Sequence, residues 1–170
     1  MEIELIVAKA KNNVIGDDLK LPWPRLSTDM QWFVRNTIGK AVVMGRKTFE
    51  SLNGRMLKDR VMIVLSKSLK QEEITNKDPN LYVCHSIEAV FDLTKKLNKK
   101  LIVIGGSEVY RQFIEIGVSK IFLTEVDKEC DGNVFCPDLE LENFNRTLND
   151  IVSEKGIMLT FFTFEKEGLE

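Results

Sequence analysis

Six short runs that are almost continuously apolar constrain this chain more than any other feature. They are Ile3 to Ala8, Ala41 to Met44, Val61 to Leu65, Leu81 to Cys84, Leu101 to Ile104 and Ile121 to Val126. A strand with one wet face alternates apolar and polar residues, whereas a strand that is apolar throughout has to be covered on both faces. Between the runs the periodicity turns helical. The pattern predicts a helix from Asp29 to Ile38 with Met30, Phe33 and Val34 on one face, and Thr28 and Gln31 stand at capping-box spacing at its start. A second helix begins near Ser86 and gathers Ile87, Val90, Phe91 and Leu97, and short helices are expected after Gly45 and Gly106. Strands alternating with helices imply an α/β fold: a mostly parallel sheet with flanking helices on both faces. The last third differs. There, Phe144 to Val152 and Ile157 to Glu165 are predicted to pair across Ser153 to Gly156 as an antiparallel C-terminal edge.

With 170 residues the chain reads as a single domain, 1–170. A domain of that size buries about 70% of its unfolded surface and needs no disulfide or metal staple. The net charge is −2 and no basic run exceeds two residues, which excludes nucleic-acid binding through phosphate neutralisation. The longest purely apolar run, Val61 to Leu65, is too short to cross a membrane, and the acidic start Met1-Glu2-Ile3-Glu4 is unlike a secretory signal. Three cysteines without Cys-x-x-Cys spacing (Cys84, Cys130 and Cys136) fit free thiols in a reducing compartment, so a cytoplasmic location is expected. A single histidine, His85, cannot build a His-rich metal site, and no metal is expected.

Several features at strand ends can carry chemistry, and each has a plainer alternative. Val14-Ile15-Gly16 and Leu21-Pro22-Trp23-Pro24 form a stiff loop leading into the first helix, or simply a surface loop with a packed tryptophan. Asp29 is either a helix-start acid that complements the dipole or a carboxyl in a pocket, where desolvation would raise its pKa. Gly45-Arg46-Lys47-Thr48 puts cations and a hydroxyl after a strand, which suits phosphate but equally a solvated turn. Leu65-Ser66-Lys67 could add a second cation, and Gly105-Gly106-Ser107 lets backbone approach a ligand closely before a helix begins. Neither glycine segment has the P-loop or the G-x-G-x-x-G spacing. Open parallel sheets bind ligands beyond the carboxyl ends of their strands, so the agreement of these positions outweighs any one of them.

Taken in order, the motifs resemble the dihydrofolate reductase family. The resemblance runs from Ile3 to Pro137 through Val14-Ile15-Gly16, Leu21-Pro22-Trp23, Asp29, Trp32-Phe33, Val43 to Ser51, Arg60, Leu65-Ser66, Val103 to Gly106, Val109-Tyr110 and Leu123-Thr124. It implies a single-domain fold with an eight-stranded, mostly parallel sheet, and reduction of 7,8-dihydrofolate to tetrahydrofolate with NADPH in a monomer open to antifolate inhibitors. Asp29 would be the acid that meets the pterin, supported by Thr124. Ile6, Val7, Met30, Phe33, Leu52, Leu57, Ile104 and Tyr110 would surround the substrate, with Arg60 and Arg55 at its carboxylate end. The cofactor would meet Ala8, Val14, Ile15, Gly16, Leu21 and Trp23 around the nicotinamide. Gly45, Arg46, Lys47, Thr48, Gly105, Gly106, Ser107, Glu108 and Val109 would lie along the pyrophosphate, and Leu65, Ser66, Lys67 and His85 at the adenosine end.

The same resemblance implies a cis peptide at Gly105-Gly106 and a lid from Asn13 to Pro24. Asn133 stands where many members carry an acid that tethers the lid, so a weaker tether is expected. Glu108 brings a negative charge toward the phosphate end. Two other readings stay open on sequence alone: a same-fold reductase of a pyrimidine intermediate in riboflavin synthesis, and a binding protein without turnover.

Overall fold

Residues 2–17 and 20–167 are described by a computed structural model of the chain. The expected apolar runs form the parallel part of the sheet: β1 (Ile3–Ala10), β3 (Ala41–Gly45), β4 (Val61–Leu65), β5 (Leu81–Cys84), β6 (Leu101–Gly105) and β7 (Lys120–Val126). The hairpin β9 (Phe144–Glu154) and β10 (Ile157–Lys166) completes an eight-stranded sheet of order β5-β4-β3-β6-β1-β7-β10-β9. The last two strands are antiparallel, as predicted. The tight turn of the hairpin has positive φ at both Lys155 (52°) and Gly156 (76°), the conformation that suits the twist of two-residue hairpins. One feature was not legible in the sequence. Part of the segment expected as loop forms a second, two-stranded sheet, β2 (Val14–Gly16) with β8 (Val134–Phe135).

Four helices cover the sheet: α1 (Ser27–Thr37), α2 (Arg46–Ser51), α3 (Ile87–Leu97) and α4 (Ser107–Ile116). Side chains alternate along each strand, so the core divides into two clusters. Ile6, Val42, Met44, Met62, Val64 and Ile102 face Trp32 of α1. Leu5, Val7, Val43, Ile63 and Val103 face Val90 of α3 and Val109, Tyr110 and Phe113 of α4. Ser86 caps α3, its Oγ accepting from the Ala89 N–H at 3.1 Å, and Asn98 ends the helix in the left-handed conformation.

Two expectations for α1 need correction. Its buried residues are Trp32 and Thr37, while Met30 and Val34 of the predicted face are 37% and 40% exposed. The Thr28–Gln31 capping box does not form either. Leu26 occupies the N-cap position and has no side-chain acceptor. The missing acceptor comes from the far end of the chain. Glu154 at the hairpin tip accepts from the Ser27 N–H (2.7 Å) and the Thr28 N–H (2.9 Å), and from both hydroxyls. A box formed within the helix would need Gln31 to turn back on the first turn, and the carboxylate already holds the amides there.

Glu4 is a buried carboxylate in the centre of the sheet, 7% exposed. Lys40 Nζ holds it at 2.6 Å and also lies 5.1 Å from the Phe122 ring centroid. Lys40→Met should therefore destabilise the fold by about 2 kcal/mol, the scale of a charge-assisted hydrogen bond to a buried group. For a chain of this size that lowers Tm by roughly 4–8 °C. The pair Glu4→Leu/Lys40→Met should recover most of the loss, since no charge is then left unpaired. Thermal melts of the two variants check this, and an unchanged Tm in Lys40→Met would assign the pair to solvent.

Candidate active site

The sheet opens where its two central strands part. β1 and β6 pair in register from Ile3–Leu101 to Leu5–Val103 and no further, while β1 goes on pairing with β7 through Ala10–Val126. The chain leaves β1 through α1 on one face and leaves β6 through α4 on the other, a topological switch point at the carboxyl ends of parallel strands. The Tyr110 hydroxyl sits in the fork, facing the Ile6 carbonyl (2.7 Å) and the Ile104 carbonyl (2.9 Å). Its single proton is shared between two strand ends that the ladder no longer joins. Burial holds its pKa far above the ordinary phenol value.

Asp29 lies above this fork, in the first turn of α1. Its Oδ1 accepts from Thr124 Oγ1 at 2.9 Å, and Thr124 on β7 stands beside Ala8 of β1. Burial raises the Asp29 pKa above the usual carboxylate value. The Thr124 hydrogen bond opposes that shift, and the negative charge of Glu154 adds to it.

From Asp29 the face of α1 runs through Phe33 to Thr37 in steps of four residues, about 12 Å in all. At its far end Arg60, 9% exposed, is fixed by two bonds: Nη1 to Thr37 Oγ1 (3.0 Å) and Nε to the Lys58 carbonyl (2.9 Å). Burial lowers the pKa of its guanidinium. Phe33, Leu52, Leu57, Ile104 and Ala8 are partly buried and pack against the α1-side core. A carboxylate and an oriented guanidinium thus stand about two helical turns apart along one face of α1, with partly buried apolar side chains packed on the same side of the sheet.

A second set of groups lines the carboxyl edge on the other side of the fork. The register puts Gly45 beside Leu65 and Leu65 beside Cys84, so Arg46-Lys47-Thr48, Ser66-Lys67 and His85 all follow neighbouring strand ends. The His85 Nε2–H donates to the Leu69 carbonyl at 2.8 Å, which places the ring against the Ser66–Leu69 segment. The Gly105-Gly106 peptide is cis, as expected. A Cβ on Gly105 or Gly106 would come within 3.4 or 3.5 Å of Thr48 Oγ1, and one on Gly45 within 3.0 Å of Val109 Cγ2. In this glycine cradle Gly105, at φ 135°, takes a backbone conformation that L side chains rarely adopt, and a Cβ on Gly45 would press on the core side chain of Val109. Gly106 precedes α4 with no side-chain cap, which leaves the N–H groups of its first turn to an external acceptor. These residues fit a bound pyrophosphate.

The side chains of several expected contact residues turn into the core or along the surface. Val7 points into the α4-side core because it alternates with Ile6 along β1, and it is 3% exposed. Val14 (1%), Trp23 (4%) and Val109 (6%) are buried in the cores as well. Tyr110 is buried likewise and directs its hydroxyl to the two strand-end carbonyls. Leu65 and Ile15 are partly buried against the α4-side core, whereas Leu21 is 54% exposed. Glu108 does not face the cradle: it pairs with Arg111 along the exposed side of α4, and that bond lowers its pKa. Arg46 pairs with Glu50 at 3.0 Å, and the Arg55 Nε donates to the Leu52 carbonyl at 3.2 Å. Residues 18 and 19 of the expected lid lie outside the described residues.

The flanks of that lid are tied down despite Asn133. Its backbone N–H donates to the Gly16 carbonyl at 3.1 Å, and the Cys136 N–H donates to the Asn13 carbonyl at 2.8 Å. Ser107 Oγ adds a bond to the Phe135 carbonyl at 2.8 Å. The approach depends on Gly132, where a Cβ would lie 2.3 Å from Val14 Cγ1 and 2.5 Å from the Gly16 carbonyl oxygen. Glu154 and Gly132 are the two contributors that sequence reasoning missed. No local signal pointed to Glu154, because Thr28 and Gln31 already offered a capping box at the start of the helix.

The sequence profile of the family described as dihydrofolate reductase matches residues 2–166. The chain is 41% identical over 145 residues to the dihydrofolate reductase of Haemophilus influenzae, covering 85% of this chain and 84% of that protein. It is 34% identical to that of Staphylococcus haemolyticus (92% and 87% covered) and 31% identical to that of Sus scrofa (98% of each).

Gly132→Ala should pull β2 away from β8. Loss of one net backbone hydrogen bond should speed hydrogen exchange at the Asn133 amide about tenfold, with β3 and β6 amides unaffected. Exchange followed by NMR decides it, and an unchanged Asn133 rate would show that the tether does not need the glycine.

Proposed function

The chain belongs to the dihydrofolate reductase family, and on that premise we propose how its residues carry out the reaction. The enzyme reduces 7,8-dihydrofolate to tetrahydrofolate with a nicotinamide cofactor. The observation that carries the assignment of roles is Asp29: a mostly buried carboxyl with a raised pKa, held by Thr124 above the fork of β1 and β6. Its carboxylate matches the donor pair of a pterin's 2-amino group and N3, and the guanidinium of Arg60 lies along the same cleft for the α-carboxylate of the glutamate tail. The apolar wall between them, with Phe33, Leu52, Leu57 and Ile104, fits the aromatic middle of the substrate. Antifolates that share the pterin's donor pattern would occupy the same cleft.

NADPH is the cofactor favoured by the strand ends. Gly45, Thr48, Gly105, Gly106 and the first turn of α4 would hold the pyrophosphate. Lys47, Ser66 and Lys67, with His85 beside them, would meet a 2′-phosphate. When bound, the reduced nicotinamide supplies the hydride that goes to C6. The chain's own part is to bring a proton to N5 and to exclude water. Asp29 raises the proton occupancy at that end of the pterin, and the tied β2–β8 flanks keep the lid over the cleft. No helix among the described residues is long and apolar enough to cross a membrane.

The direct test is NADPH oxidation with and without dihydrofolate. Dependence on both supports the reading. Asp29→Asn should lower turnover at neutral pH by roughly 10²-fold, the scale of acid–base assistance. Protonation accompanies hydride transfer, so the rate falls as pH rises and the variant should partly recover in acid. NADPH affinity should stay near normal. Near-normal turnover of the variant at neutral pH would return Asp29 to the role of a helix-start acid. Separately, Lys47→Ala/Lys67→Ala should weaken NADPH at least tenfold more than NADH, since charge-assisted hydrogen bonds contribute about 1.5–3 kcal/mol each. Equal losses in titrations with the two cofactors would remove these lysines from the 2′-phosphate.

A further inference from the structure

The C-terminal hairpin reaches the active site without lining the cleft. The two-residue turn at Lys155-Gly156 places Glu154 and Lys155 at its tip. From there both side chains grip the segment just before Asp29. Lys155 Nζ donates to the Arg25 carbonyl. The two carboxylate oxygens of Glu154 divide between adjacent residues, Oε2 taking the Ser27 N–H and Oγ and Oε1 taking the Thr28 N–H and Oγ1. Four donors on one carboxylate fill its lone pairs and define its position, and Asp29 is the next residue along the chain.

We propose that Glu154 is a positioning residue for the reaction: its carboxylate clamps the first turn of α1 and sets the proton occupancy of Asp29 through the negative charge it holds there. The proposal rests on the reading of Asp29 as the group that promotes substrate protonation. Ordinary caps are local and neutral Ser, Thr or Asn residues, or an Asp, at the N-cap itself. Here Leu26 occupies that position, and a charge arrives from 127 residues away. A negative charge there also complements the helix dipole; what sets this cap apart is that its charge is held on the residue next to Asp29. The Thr28 and Ser27 donors hold the Glu154 pKa down at about 2, so the charge persists at any working pH. The titratable groups acting on or across Asp29 are Glu154 from β9 and Tyr110 from α4, with neutral Thr124 from β7. Lys155, the cation beside Glu154 in sequence, is turned to the Arg25 carbonyl. Of these, Glu154 supplies the negative charge that acts on Asp29.

The test compares wild type, Glu154→Gln and Glu154→Asp in the full-length protein. Gln keeps the length and one carbonyl acceptor but loses the charge; Asp keeps the charge. The first readout is the pH titration of the Asp29 side-chain carboxyl carbon by NMR, assigned with Asp29→Asn. The second is the pH profile of kcat/KM. In Glu154→Gln the Asp29 titration should move to lower pH, and kcat/KM on the alkaline limb should fall about two- to fivefold, the scale of a partly screened charge. Glu154→Asp should titrate near wild type. In the wild-type protein, added salt should move Asp29 in the same direction as Gln, a readout independent of any variant's folding.

An unmoved Asp29 titration in Glu154→Gln, or the same behaviour in Gln and Asp variants, would overturn the proposal and leave Glu154 a cap that lowers Tm alone. So would an Asp29 titration in the wild type that is indifferent to salt. A titration that moves while the rate profile stays put supports the coupling and overturns the role of Asp29 instead.

Discussion

Everything at this site depends on two neighbouring strands that stop pairing. Past Leu5 and Val103, β1 and β6 no longer share a ladder, because their chains leave for opposite faces of the sheet. Carbonyl groups released in this way need new partners, and the Tyr110 hydroxyl gives one to Ile6 and Ile104 together. The fork is thereby bridged by one side chain, with α1 packed on one face of the sheet and α4 on the other.

The two core clusters divide the labour. The α1-side cluster supports the carboxylate, the apolar wall and the oriented guanidinium, all measured out along one helix. The α4-side cluster supports bare backbone. Val109 packs against Gly45 from the core, and Thr48 stands against Gly105 and Gly106. Buried residues such as Val7 and Val109 matter to the site through the backbone they position. This is the usual relation of a rigid scaffold to the polar groups it carries.

The polar groups of the site are satisfied over long distances in sequence. Asp29 is held from β7, the first turn of its helix from the hairpin tip, and the lid flanks from the segment that follows β7. Each of these contacts joins parts of the chain about a hundred residues apart. The grip on the first turn of α1 forms only when the antiparallel edge of the sheet is in place, since Glu154 stands at its tip.

The sequence by itself determined the sheet, the order of its elements and the chemistry available at the strand ends. Apolar runs without alternation admit no other environment than a sheet covered twice, and glycines, lysines and an acid at run ends are visible as residues. It did not determine which way Val7, Val14 or Glu108 would point. Direction depends on strand parity and on nearby partners such as Arg111, and a reading of motif positions carries neither. It also did not reveal Glu154, the β2–β8 pairing or the exposed face of α1. A helix that takes its cap from a hairpin 127 residues away leaves no local signature, least of all where Thr28 and Gln31 offer a cap of their own, and an apolar stripe on an open face has the same period as one that enters a core. Only the tertiary structure could separate these cases, because the difference lies in what is packed opposite.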